Sequence, residues 1–86
     1  MYSKEIIVHC ESGLYNKQAT YFVQKANEFT SNIWLESEGR KMNAKSLLGV
    51  MSLSVVTGSM VNISADGCDE KDAVDTLETL LQQDIA

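Results

Sequence analysis

Apolar residues along this chain come in short runs whose spacing switches between the two-residue period of a strand and the three-and-four spacing of a helix. Ile6-Ile7-Val8-His9-Cys10 is brief and β-branched, and Ser12-Gly13 closes it, so the reading is a strand followed by a turn. Ala19, Phe22, Val23 and Ala26 then fall on one helical face, with Lys17, Gln18, Gln24 and Lys25 in other directions and Asn16 or a near neighbour as cap. Ile33-Trp34-Leu35-Glu36 predicts a second strand, Glu38-Gly39 a hairpin turn, and Arg40 to Ala44 the antiparallel return. Alternation places Ile33 and Leu35 on one face of that hairpin and Trp34 on the other.

Ser46 precedes a short apolar helix of Leu47, Leu48, Val50, Met51 and Leu53, with Gly49 inside it. Thr57-Gly58-Ser59 breaks the chain before a strand over Met60–Ala65, where Val61, Ile63 and Ala65 alternate with Asn62 and Ser64, a face expected to be open to water. Asp66-Gly67 ends the strand, and Cys68-Asp69-Glu70 opens a last helix striped by Val74, Leu77, Leu80 and Leu81. The order is β-α-β-β-α-β-α, an α+β chain expected to form one domain over residues 1–86 with helices packed on one face of an antiparallel sheet.

Composition narrows the function. Twelve acidic against seven basic residues give a formal charge of −5, the wrong sign for displacing phosphate counterions, so direct nucleic-acid binding is not expected. No apolar run is long enough to span a bilayer and the amino terminus has no secretory pattern, which makes a cytoplasmic location and no membrane contact the expectation. Cys10, Cys68 and His9 have no metal-ligand spacing, and no triad, acid/base pair or phosphate-binding glycine loop appears. The expectation is therefore no metal, no cofactor and no enzymatic activity.

The segment Asn43-Ala44-Lys45-Ser46-Leu47-Leu48-Gly49-Val50-Met51-Ser52-Leu53 resembles the regulatory serine segment of Gram-positive HPr proteins, of the bacterial sugar phosphotransferase system. Gly13-Leu14, Phe22-Val23, Phe29-Thr30-Ser31 and Ile63-Ser64-Ala65-Asp66-Gly67 extend the likeness over essentially the whole chain. The resemblance implies a two-layer open-faced β-sandwich, its sheet ordered 1-4-2-3 under three helices. It also implies that Cys10 and Cys68 stand toward opposite ends of neighbouring strands, unsuited to a disulfide.

The departure from the family is local. Carriers hold a phosphorylated histidine in a Gly-Leu/Ile-His-x-Arg-Pro-Ala pattern, whereas here the segment reads Gly13-Leu14-Tyr15-Asn16-Lys17-Gln18-Ala19. An imidazole titrates at about 6.5 and a phenol at about 10, so Tyr15 is a poor substitute for a labile phosphoryl carrier. Lys17 in place of arginine loses the planar two-point grip on phosphate. His9, on the expected first strand, is not placed to stand in.

What the resemblance leaves is Ser46, matching the serine that an ATP-dependent HPr kinase/phosphorylase modifies, after which the protein acts as corepressor for a LacI-type catabolite control repressor. Taken alone, a serine before an apolar helix is far more often an ordinary cap than a switch, and the resemblance reverses that reading for Ser46. The resemblance assigns partner contacts to Lys45, Leu47, Leu48, Met51, Tyr15, Lys17 and Thr20, although the leucines and the methionine could equally fill the core. Trp34 on the open face is either shielded by its neighbours or a self-association surface, so a homodimer stays open. The reading is a catabolite-repression member of the family that lacks the active-site histidine. Two alternatives remain: a phosphocarrier with an atypical nucleophile, and an interaction module that takes no phosphate.

Overall fold

The computed structural model describes residues 1–9 and 16–82. The elements run β1 (Tyr2–Ile7), α1 (Asn16–Ala26), β2 (Asn32–Ser37), β3 (Arg40–Asn43), α2 (Leu47–Ser52), β4 (Met60–Asp66) and α3 (Glu70–Gln82). The four strands form an antiparallel sheet in the order β1-β4-β2-β3, covered on one face by the helices. The inward positions Ile6, Ile33, Leu35, Val61, Ile63 and Ala65 meet Ala19, Phe22 and Ala26 of α1, Val50 of α2, and Ala73, Val74, Leu77 and Leu81 of α3 in one buried core. Each large aliphatic residue in that core removes enough apolar surface from water to stabilise the fold by about 1.5–3 kcal/mol.

The hairpin between β2 and β3 follows from its turn chemistry. Glu38 and Gly39 both have positive φ, 52° and 77°, and Ser37 pairs with Arg40 across them. That two-residue left-handed turn matches the twist of the strands it joins. Trp34 does lie on the face away from the helices, half-buried, with the Lys41 ammonium 5.1 Å from its ring centroid.

Several expectations are corrected. The first strand spans Tyr2–Ile7 and not residues 6–10, because the working alternation is Tyr2, Lys4, Ile6 inward with Ile7 outward, and the apolar run Ile6-Ile7-Val8 crosses the strand's end. His9 therefore lies beyond β1; its backbone N–H donates to the Leu81 carbonyl at 2.8 Å. Ser64 was expected on a wet face and is buried, set in register between Ser3 of β1 and Trp34 of β2. Gln18, read as lying off the apolar face of α1, is 5 % exposed and donates its amide to the Leu80 carbonyl at 3.0 Å. Finally, α3 begins at Glu70 and not Cys68, since Asp69 caps it through its backbone carbonyl (accepting from Ala73 N–H at 2.9 Å) while its side chain is taken elsewhere. The expected turn at Ser12-Gly13, the Gly13-Leu14 match, and Cys10 and Tyr15 lie outside the described residues.

Candidate functional site

Ser46 stands where β3 gives way to α2. Its backbone is extended, with φ −107° and ψ 117°, and its Oγ accepts from the Gly49 N–H at 3.2 Å while its carbonyl accepts from Val50 N–H at 2.9 Å. It is thus the helix cap that the sequence allowed, and the residue is half-buried. The chain leading to it is fastened on both sides. Asn43 Oδ1 accepts from the Lys45 N–H at 2.8 Å, and Asn27 at the end of α1 donates its side-chain amide to the Lys45 carbonyl at 3.2 Å. The Lys45 ammonium donates to the Phe29 carbonyl at 2.7 Å. Lys45 therefore spans to the end of α1, a structural duty in addition to the contact role expected of it.

Beyond Ser46, α2 divides its apolar residues between two tasks. Val50 and Leu53 enter the core and Met51 packs half-buried against it, whereas Leu47 is 38 % and Leu48 84 % exposed. Two leucines turned outward on a six-residue helix beside a capping serine make an apolar surface that the core does not use. Met51 belongs only partly to it. The far end of α2 is held by Arg40, whose guanidinium donates to the Ser52 carbonyl at 3.0 Å. Lys17 and Thr20 sit exposed on α1, and no hydrogen bond or ion pair ties them to residues 45–51 among the described residues. The structure thus brings Lys45, Ser46, Leu47, Leu48 and Met51 together on one segment, and α1, which carries Lys17 and Thr20, packs against α2.

A clamp missed by the sequence reading lies between the start of β2 and the start of α3. The Asp69 carboxylate accepts from Thr30 N–H at 2.8 Å, Ser31 N–H at 3.0 Å, Thr30 Oγ1 at 3.3 Å and the Ser31 hydroxyl. These bonds, the Ser31 hydroxyl's first, pull the Asp69 pKa down to about 2. No periodicity links residues 38 apart in sequence, so only the order of elements could have hinted at the pairing. On the other side of α3, the Lys4 ammonium lies 2.9 Å from Glu78 and 3.0 Å from Asp75, and these two hydrogen bonds raise its pKa. Among the described residues no group of three or more His, Cys, Asp and Glu side chains could hold a metal ion, and no helix is long and apolar enough to cross a membrane.

An antiparallel 1-4-2-3 sheet under three helices is the architecture this chain shares with the small phosphocarrier proteins. Residues 2–83 match the family model described as the PTS HPr component phosphorylation site, and the chain belongs to the HPr family. It is 42 % identical over 85 residues to the HPr-like protein Crh of Bacillus subtilis, covering 99 % of this chain and 100 % of that one. Among solved structures it is similar to the phosphocarrier protein HPr of Bacillus anthracis, with a TM-score of 0.93 and 40 % identity over 94 % of this chain and 96 % of that one. The crystal structure of Bacillus subtilis Crh, described as a dimer with a swapped domain, superimposes with a TM-score of 0.76 at 44 % identity over 95 % of this chain and 94 % of that one. The protein is an HPr-like regulatory or phosphocarrier protein.

Proposed function

We propose that this chain regulates carbon catabolite repression: HPr kinase/phosphorylase phosphorylates it on Ser46, and the phosphorylated form is corepressor for a LacI-type catabolite control repressor. The reading is carried by one observation, the capping hydroxyl of half-buried Ser46 set directly beside Leu47 and Leu48, which the core leaves exposed. A phosphate on that oxygen adds charge and three acceptors next to a ready apolar contact surface, so modification and docking share one edge of the molecule. Lys45, Leu47, Leu48 and Met51 are the contact residues from this edge. Tyr15, Lys17 and Thr20 contribute from the α1 side. The chain does not relay phosphate from histidine, since Tyr15 occupies that position in the sequence and a phenol neither accepts nor releases phosphate as imidazole does. It works as a binding partner and needs no cofactor.

Intact-mass analysis after incubation with ATP and a Gram-positive HPr kinase/phosphorylase tests the switch. One added phosphate on the wild type and none on Ser46→Ala is expected; an unmodified wild type would sink the reading and leave a plain interaction module. Incubation with phosphoenolpyruvate and the first enzyme of the phosphotransferase system should leave the chain unmodified, and transfer would restore the carrier alternative. Titrating the phosphorylated chain into repressor and operator DNA should tighten the complex. A second copy of the chain is also a partner in this reading, supported by the swapped-domain dimer described for Bacillus subtilis Crh. Sedimentation showing monomer alone across the accessible concentration range would remove it.

A further inference from the structure

We infer that Gly49 sets the reactivity of Ser46: the side chain it lacks is the space that the transferred phosphoryl group occupies. This rests on the reading of Ser46 as the modified residue. Nothing else in the fold requires a glycine there. Its backbone is not in the left-handed region, unlike that of Gly39, Gly58 and Gly67. An ideal Cβ on Gly49 would stand 3.4 Å from both Ser46 Cβ and Ser46 Oγ and 3.5 Å from the Asn43 carbonyl oxygen, which are ordinary contact distances. Alanine therefore fits the unmodified protein, and it is the better helix former. A glycine inside a helix of six residues weakens an already short element without any packing reason.

The reason appears when the phosphoryl group is added. Ser46 Oγ attacks the γ-phosphorus of ATP; a new O–P bond forms as the bond from that phosphorus to the bridging oxygen breaks. ADP leaves, and the hydroxyl proton passes to a base on the kinase. The ester oxygen is then a poor acceptor, while three phosphate oxygens stand farther out from Ser46. The Gly49 N–H, which donates to Oγ at 3.2 Å before transfer, turns to one of those oxygens, and the phosphate lies over the bare Cα of Gly49. A methyl at residue 49, in contact with Oγ, occupies that same space.

The test compares wild type, Gly49→Ala and Ser46→Ala for phosphate incorporation by HPr kinase/phosphorylase with ATP, alongside melting curves and the wild-type amide NMR spectrum. Gly49→Ala should melt at or above the wild type and yet lose about tenfold or more in kcat/KM for phosphorylation, the scale on which a misplaced methyl discriminates. Driven to full phosphorylation, it should gain less in Tm from the phosphate than the wild type gains. In the wild type, the Gly49 amide should shift more on phosphorylation than the other amides of α2, a readout that requires no variant. Equal rates for wild type and Gly49→Ala overturn the inference, and so does a Gly49 amide that stays in place. A wild-type chain that takes no phosphate at all fails the reading of Ser46 itself and this inference with it.

Discussion

Replacing Gly67 with alanine should destabilise this protein more than any other glycine substitution whose surroundings are described. Gly67 closes β4 against the start of β2, where an added Cβ would lie 2.5 Å from Ser31 Oγ, 2.7 Å from Ser31 Cα and 2.9 Å from Ser31 Cβ. A hydroxyl can rotate away, but a backbone Cα cannot, so the two segments must separate. Ser31 is also a partner of the Asp69 clamp through both its N–H and its hydroxyl, so a displaced Ser31 loosens those bonds too. With φ at 157°, at the margin of the glycine range, most of the penalty is steric rather than conformational. Overpacking of this kind costs about 1–3 kcal/mol. Adding weakened clamp hydrogen bonds, at about 1 kcal/mol each, gives a loss of about 3 kcal/mol. In a chain of 86 residues that is a large share of the total stability and corresponds to a fall in Tm of roughly 12–24 °C. Gly58→Ala is the control, since φ is 88° but no atom lies within 4 Å of its ideal Cβ, and it should lose only the left-handed strain of about 1 kcal/mol. Urea unfolding of both variants with unchanged m-values measures the difference. Equal losses at the two positions would refute the claim that the crossing with Ser31 is tight.

Acid titration should report the Asp69 clamp: with its folded pKa lowered to about 2, Asp69 contributes stability that is complete above its ordinary value of 3.8 and disappears as pH falls toward 2. Asp69→Asn should therefore flatten the pH dependence of Tm within that interval, and an unchanged slope would contradict the assignment. Ser54 adopts φ 51° just after α2, so Ser54→Gly should stabilise the protein by about 0.5–1 kcal/mol in chemical denaturation, net of the added freedom of the unfolded chain. Leu48→Ala should change stability by less than about 0.5 kcal/mol whereas Leu77→Ala, fully buried, should lose about 2–5 kcal/mol; a comparable loss at Leu48 would show that it supports the fold and is not spare contact surface.

Period and turn chemistry made most of the architecture legible. The Glu38-Gly39 hairpin, the Val61-Ile63-Ala65 alternation and the Val74-Leu77-Leu80-Leu81 stripe, its Leu80 only partly buried, each carry a local signal that the structure follows. Boundaries failed where the local signal was ambiguous. Ile6-Ile7-Val8 has no alternation of its own, and only pairing with β4, from Tyr2 against Ala65 to Ile7 against Met60, decides where β1 begins. The family resemblance, not periodicity, supplied the order of the sheet and drew attention to Ser46. What neither could supply is contact at long range: the Asp69 clamp joins segments 38 and 39 residues apart, and the Gln18 amide reaches a carbonyl 62 residues away. A polar residue looks the same in sequence whether it faces water or satisfies a distant backbone group.

Gln18 shows how a departure from the family pattern can be absorbed by the fold. The family places proline there, a residue with no N–H and no side-chain polar group, whereas glutamine brings an amide that must be hydrogen-bonded once it is buried. The Leu80 carbonyl on the last turns of α3 meets that need, and the neighbouring Leu81 carbonyl accepts from the His9 backbone. The end of α3 thus fastens the chain at His9 and at Gln18, on either side of residues 10–15. The Ser46 edge depends on a separate set of bonds, through Asn27, Phe29, Asn43 and Gly49. The two sets of bonds share no residue, so the anchoring at the end of α3 and the presentation of Ser46, Leu47 and Leu48 rest on different contacts.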